Sequence, residues 1–156
     1  MSTLNKKKVI IIDYKLGNLF SVNQACKTVG ITSIVSSKKS DLYTADGIIL
    51  PGVGAFNEAM DNLKRLDLIN AIKEKVSEGT PIFGICLGLQ LLFDKSEEFG
   101  NFDGLSLVSG KIKKFPNIFL NKKLKVPHVS WNNLDLNEEV VNTSPLKLLN
   151  NKDYMY

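Results

Sequence analysis

A chain of 156 residues, 44% hydrophobic and 23% charged, has the composition of one globular domain and excludes a disordered or low-complexity polymer. Its apolar runs, such as Val9–Ile12 and Ile48–Leu50, fall far short of the roughly 20 residues that span a bilayer. The net charge of +4 is mild, and the lysines cluster at 6–8, 38–39, 111–114 and 122–125 without interleaved aromatics, so nucleic acid is not expected as a partner.

Met1–Lys8 is polar and lysine-rich, with no apolar stretch before a cleavage site. A cytoplasmic location is therefore expected. Two cysteines, Cys26 and Cys86, argue against a disulfide framework and a four-thiol zinc site. His128 is the single histidine, so no multi-histidine metal site and no cofactor is expected.

Residues 8–12 form a lysine-led, β-branched apolar run, which predicts a buried parallel strand. A turn over 13–18 leads into a predicted helix at 19–29. Leu19, Val22, Ala25, Cys26 and Val29 make its apolar stripe, and Gly30 closes it. Strands are predicted at 31–35 and 47–50, the second stopped by Pro51. Helices are predicted at 55–63 and 68–76, a strand at 81–85, and a short helix at 87–93. Shorter strands are expected at 105–108, 111–115 and 123–131, some antiparallel. Ser144-Pro145 predicts a brief helix to 149, and 153–156 starts another strand.

The succession predicts an α/β fold: an open, mostly parallel, doubly wound sheet with helices on both faces and a short antiparallel extension, in one domain over 1–156. The final strand-like residues carry no polar tail, and a domain lacking its C-terminal quarter is expected.

Two segments carry chemistry. In Gly84-Ile85-Cys86-Leu87-Gly88 a strand runs into a helix, with the cysteine at the junction and glycines two residues to either side. Such a turn is sharp, and glycine removes the Cβ atoms that would collide. It mounts the sulfur at the carboxyl edge of the sheet, where open α/β folds bind ligands. A helix N-terminus there favours a thiolate. Cys86 is thus a candidate nucleophile, whereas Cys26 lies on an apolar helical stripe and reads as core. The second segment, Pro51-Gly52-Val53-Gly54-Ala55-Phe56, follows a strand and opens a helix. Its glycines leave backbone N–H groups accessible, as an oxyanion needs.

Together these segments resemble the class I, triad-type glutamine amidotransferases, and most closely the glutaminase subunits of imidazole glycerol phosphate synthases. Asp13-Tyr14 with Gly17-Asn18-Leu19, Pro51 to Phe56, Gly84 to Phe93, and Lys125-Val126-Pro127-His128 with Trp131-Asn132 match the family's motifs in order and spacing. Lys15 and Ser130 stand where the family usually has glycine.

The resemblance implies a set of roles. Cys86 attacks the side-chain amide of glutamine, giving a thioester and ammonia. Backbone N–H groups of Leu87 and Val53 form the oxyanion hole, after the segment reorients. Gly52, Gly54 and Gln90 bind glutamine. His128 and Trp131 belong to the interface with a partner cyclase of barrel fold, in a heterodimer that receives the ammonia. The family's triad adds a His and a Glu from a His-Pro-Glu segment, which this sequence does not contain. Negligible glutaminase activity is therefore expected of these 156 residues alone.

Other readings stay open. Ser96-Glu97-Glu98-Phe99-Gly100 is similar to homologues that supply ammonia to amidate bacterial surface sugars. A non-catalytic, partner-binding remnant is another. A different elbow enzyme, such as a cysteine hydrolase, fits less well because Pro-Gly-Val-Gly and Pro-His-x-x-Trp are foreign to it.

Overall fold

A computed structural model describes residues 7–116, 118–119, 122–123, 125–137, 139 and 147–155, in two compact units, Met1–Lys114 and Phe115–Tyr156.

In the first unit, strand β1 (Lys8–Ile12) is flanked by β2 (Thr32–Ser36) on one side and β3 (Gly47–Leu50) on the other, and β3 is followed by β4 (Ile82–Gly84). All three pairings are parallel, with Ile10 opposite Ile34 and Ile48, and Ile49 opposite Phe83. The chain leaves β1 in one direction and returns on its other side. The carboxyl ends of β1 and β3 therefore flank a topological switch point, where the loops diverge and leave a crevice.

Helices α1 (Leu19–Thr28), α3 (Phe56–Arg65), α4 (Ile69–Ser77) and α5 (Leu87–Leu91) were all expected. Alternation along the strands sends Ile10, Ile12, Ile48 and Leu50 to one face. There they pack with Phe56, Ala59 and Leu63 of α3, Ala71 and Ile72 of α4, and Leu87 and Leu91 of α5. Burial of each isoleucine, leucine or phenylalanine among them is worth about 1.5–3 kcal/mol. Ile11 is equally buried but points the other way, towards the side of α1, where Cys26 is buried as the sequence predicts.

Asn18 caps α1, its side chain accepting from the Ser21 N–H at 3.1 Å, an arrangement worth about 1 kcal/mol. The expected stripe of α1 is only partly interior. Ala25 is exposed, and Val29 is the C-cap residue, 70% exposed, because the helix ends before it.

Lys15 takes a left-handed φ of 74°. Its N–H donates to Asp13 Oδ1 at 3.0 Å, and its ammonium pairs with Asp13 Oδ2 at 3.0 Å. A Cβ in that conformation costs about 1–2 kcal/mol. Glycine would lose the exposed ion pair, worth little, and would bring about 0.5–1 kcal/mol of extra backbone entropy loss on folding. Lys15→Gly is therefore expected to be neutral or to stabilise by up to about 1 kcal/mol, and Lys15→Val to destabilise. Urea unfolding of both variants checks the order.

The element bounds differ from expectation at several points. A short helix α2 (Lys39–Leu42) was not foreseen; four residues give no readable period. The expected helix at 87–93 stops at Leu91, and Phe93 already opens β5 (Phe93–Ser96). The expected strands at 105–108 and 111–115 are one strand, β7 (Val108–Ile112). It runs through Gly110, whose φ of 142° marks a bulge against β5 and not a break. β5 pairs parallel with β7 and antiparallel with β6 (Phe102–Asp103), which supplies the antiparallel extension.

In the second unit the expected strand at 123–131 is not formed as such. Lys122–Lys123 (β9) pairs antiparallel with Ile118–Phe119 (β8), bends follow at 126–127 and 130, and Asn132–Asn133 (β10) is the next strand. The predicted final strand is present as β11 (Tyr154–Met155), antiparallel to β10. The predicted helix at 145–149 lies partly outside the described residues, and 147–148 is a turn.

Candidate active site

Three loops meet at the carboxyl edge of the parallel sheet in the first unit. β4 delivers Cys86 to the N-cap of α5 at φ 54° and ψ −115°. A non-glycine residue with positive φ is strained by about 1–3 kcal/mol, and such strain clusters where a side chain must be aimed. The thiol is exposed. Around it the Leu89 and Gln90 N–H groups donate to the Cys86 carbonyl at 3.0 and 3.2 Å, and Gly88 N–H donates to Ile85 at 3.0 Å. Leu87 occupies the first helical position, so its N–H has no acceptor within the helix and is available to a developing negative charge.

Glycine is required here by contact. A methyl group on Gly84 would lie 2.6 Å from the Leu89 Cα, and one on Gly88 would overlap the Leu50 carbonyl oxygen. That oxygen also accepts the Ile85 N–H at 3.0 Å. The elbow is thus seated on the end of β3. Pro51 and Gly52 continue from there and are buried, while Val53 and Gly54 are exposed. A methyl on Gly52 would lie 3.0 Å from both the Gly88 nitrogen and the Leu87 Cβ, so the glycine loop abuts the elbow. A methyl on Gly17 would sit 3.7 Å from the Gly52 nitrogen, which brings the loop after β1 to the same place.

Two side chains that sequence reasoning gave no role hold this arrangement. Tyr14 is fully buried and donates its O–H to the Pro51 carbonyl at 2.6 Å. Its ionisation is pushed well above the ordinary tyrosine value of about 10, first by burial and then by the charge of Cys86. It is therefore a neutral donor across the physiological range. The second is Glu98, whose carboxylate accepts the Phe56 N–H at 2.8 Å and so caps α3, which has no side-chain cap of its own. Glu98 N–H in turn donates to Oγ of the fully buried Ser96 at 3.1 Å. Tyr14 was visible in the opening motif, but nothing local in the sequence points from residue 98 to residue 56.

The raised ionisation of Tyr14 has a measurable consequence. The folded protein holds this proton more tightly than the unfolded chain. Its contribution to stability is complete below pH about 10 and declines as pH rises beyond that. Unfolding measured at pH 9 and pH 11 is expected to show a larger loss for the native sequence than for Tyr14→Phe.

Gln90 is half-buried on α5, one helical turn from Cys86. His128 and Trp131 are exposed in the second unit. His128 Nε2 lies 3.0 Å from Asn132 Nδ2 and 3.2 Å from Ser130 Oγ. A depression of about 480 Å³ runs along α3, lined by Asn57, Glu58, Asp61, Lys64 and Arg65. It is lined by polar and charged side chains of one helix and does not include the elbow.

The family model for class-I glutamine amidotransferases matches residues 10–148. The chain belongs to the class-I glutamine amidotransferases. It is 47% identical over 132 residues to the imidazole glycerol phosphate synthase subunit HisH of Bacillus thuringiensis (strain Al Hakam), an alignment covering 85% of this chain and 61% of that protein. The HisH subunit of Bacillus cereus (strain B4264) is 48% identical over 126 residues, covering 81% and 58%. The chain thus spans about three fifths of the length of the curated relatives it matches. A crystal structure of a glutamine amidotransferase superposes with a TM-score of 0.54 at 22% identity, over 62% of this chain and 51% of the other, and supports the α/β fold.

Proposed function

We propose that the chain acts as the glutaminase component of an imidazole glycerol phosphate synthase, in histidine biosynthesis. The observation that carries this reading is Cys86 on a positive-φ elbow, with the Gly52 loop seated against Leu87 and Gly88. The identity to HisH subunits supports the choice of substrate and pathway.

In this reading the Cys86 thiolate attacks the side-chain amide carbon of glutamine. The Leu87 and Val53 N–H groups receive the oxyanion, the carbon–nitrogen bond breaks, and the nitrogen leaves as ammonia once it takes a proton from a histidine of the kind the family's triad supplies. Water then cleaves the γ-glutamyl thioester, returning the thiol and glutamate. Gly52 and Gly54 let the backbone approach the substrate, and Gln90 binds it. His128 and Trp131 face a cyclase of barrel fold, which takes the ammonia within a cytoplasmic heterodimer.

In this reading His128 lies outside the triad, and it is the chain's single histidine. Thiolate attack is therefore open to these 156 residues, but proton delivery to the leaving group is not. That loss costs about 10²–10⁴-fold or more.

A chloroketone analogue of glutamine tests the reading, because the thiolate displaces chloride and no leaving-group proton is needed. Cys86 is expected to be alkylated, with protection by L-glutamine and none by L-asparagine. Labelling indifferent to glutamine sinks the substrate assignment. Steady glutamine turnover by this chain with its cyclase, lost in Cys86→Ala, overturns the expectation of low activity.

A further inference from the structure

The Pro51–Phe56 segment is fastened at both ends and free in the middle. At its start the Tyr14 O–H holds the Pro51 carbonyl at 2.6 Å inside the core. A methyl on the next residue, Gly52, would run into that same phenol oxygen, so ring, carbonyl and loop form one contact. At its far end the Phe56 N–H is held by Glu98 at 2.8 Å. Between them Val53 is 54% exposed, and Gly54 sits at φ 102°, a conformation that costs glycine nothing.

We propose that Tyr14 is a positioning residue for oxyanion stabilisation: by fixing the Pro51 carbonyl it sets the plane of the Pro51–Gly52 peptide and confines any turning of the loop to Gly52 and the residues after it. The proposal rests on the reading of Val53 N–H as an oxyanion donor. A donor must sit within a few tenths of an ångström of where charge develops, and a loop anchored at one end only would spread over many orientations. Tyr14 suits the task because its ring is immobilised in the core and its hydroxyl stays protonated. It touches no substrate; it acts through Pro51.

The test is Tyr14→Phe in the 156-residue chain, which keeps the ring and removes only the hydroxyl. Amide hydrogen exchange is expected to quicken about tenfold at Gly52 and Val53, with Ile10–Ile12 and Ile48–Leu50 unchanged. Alkylation of Cys86 by the glutamine chloroketone, whose ketone oxygen needs the donors, is expected to slow about tenfold. Alkylation by iodoacetamide, which needs none, is expected to stay within twofold. Unchanged exchange at Gly52 and Val53, faster exchange spread evenly over the sheet, or equal slowing with both reagents overturns the proposal. If the native chain shows no protection by glutamine, the glutaminase reading fails, and the exchange measurement still decides whether Tyr14 holds the segment.

Discussion

Replacing Cys86 with alanine is expected to abolish covalent capture of the glutamine chloroketone, by about 10⁴-fold or more, because no other nucleophile takes the sulfur's place. The internal control is Cys26, which is 5% exposed and is expected to remain unlabelled in the folded protein. Intact-mass analysis reads both outcomes: one adduct in the native sequence and none in Cys86→Ala. A persistent adduct in Cys86→Ala would remove Cys86 from the mechanism. Cys86→Gly sharpens the argument. The same left-handed backbone that aims the sulfur is costly for any side chain and nearly free for glycine. Cys86→Gly is therefore expected to lose all capture and yet to unfold at higher urea, by roughly 1 kcal/mol. Stability and reactivity moving in opposite directions at one residue is the signature of a strained functional site. Equal or lower stability in Cys86→Gly would show that the elbow is relaxed.

The largest stability effect is expected at Gly88. A methyl there would overlap the Leu50 carbonyl oxygen and lie 2.6 Å from its carbon and 3.2 Å from the Pro51 carbonyl carbon. These are backbone atoms, which cannot swing aside as a side-chain tip can. Gly88→Ala must push α5 away from β3 and stretch the 3.0 Å bond from Ile85 N–H to Leu50. Overpacking of this kind costs about 1–3 kcal/mol, and the weakened hydrogen bond adds about 1 kcal/mol. The melting temperature is expected to fall by roughly 10 °C. Gly47→Ala is the control. Its methyl would meet the Val9 side chain at 3.5 Å, an ordinary contact, and its melting point is expected to stay within about 2 °C of the native value. If Gly88→Ala and Gly47→Ala melt together, the seat of the elbow on β3 is not as close as described.

The parts of the fold that were legible in the sequence are those with a period or a punctuation mark. Ile10 to Ile12 and Ile48 to Leu50 are short, uninterrupted β-branched and leucine runs bounded by turn residues, as strands inside a covered sheet are. Gly84 and Gly88 could be read as an elbow because close backbone approach leaves a mark in composition: no other residue fits. The boundaries after Phe93 were harder. Gly110 looks like a break in sequence, yet it is a bulge, its N–H taken by Asp94 Oδ2 at 2.9 Å from a neighbouring strand. A glycine's purpose there is decided by what lies across from it. The same holds for the site. Cys86, Leu87, Gly52 and Val53 announce themselves through local geometry. Tyr14 and Glu98 do not, because their partners lie 37 and 42 residues away.

Those separations carry a further meaning. The elbow itself is local, but the loops set against it come from far along the sequence. The parallel pairs join β1 to β3 and β3 to β4, and the bonds from Tyr14 to Pro51 and from Phe56 to Glu98 close long loops. Contacts of this kind must pay loop-closure entropy before they return anything, so they consolidate late. A newly made or refolding chain thus passes through a period in which both thiols are open and no binding site yet exists. Iodoacetamide would mark such a chain at two cysteines without preference. Labelling of Cys86 by the chloroketone would become preferential, and preventable by glutamine, only once the sheet has closed, so the glutamine-protected fraction of that label serves as a clock for assembly.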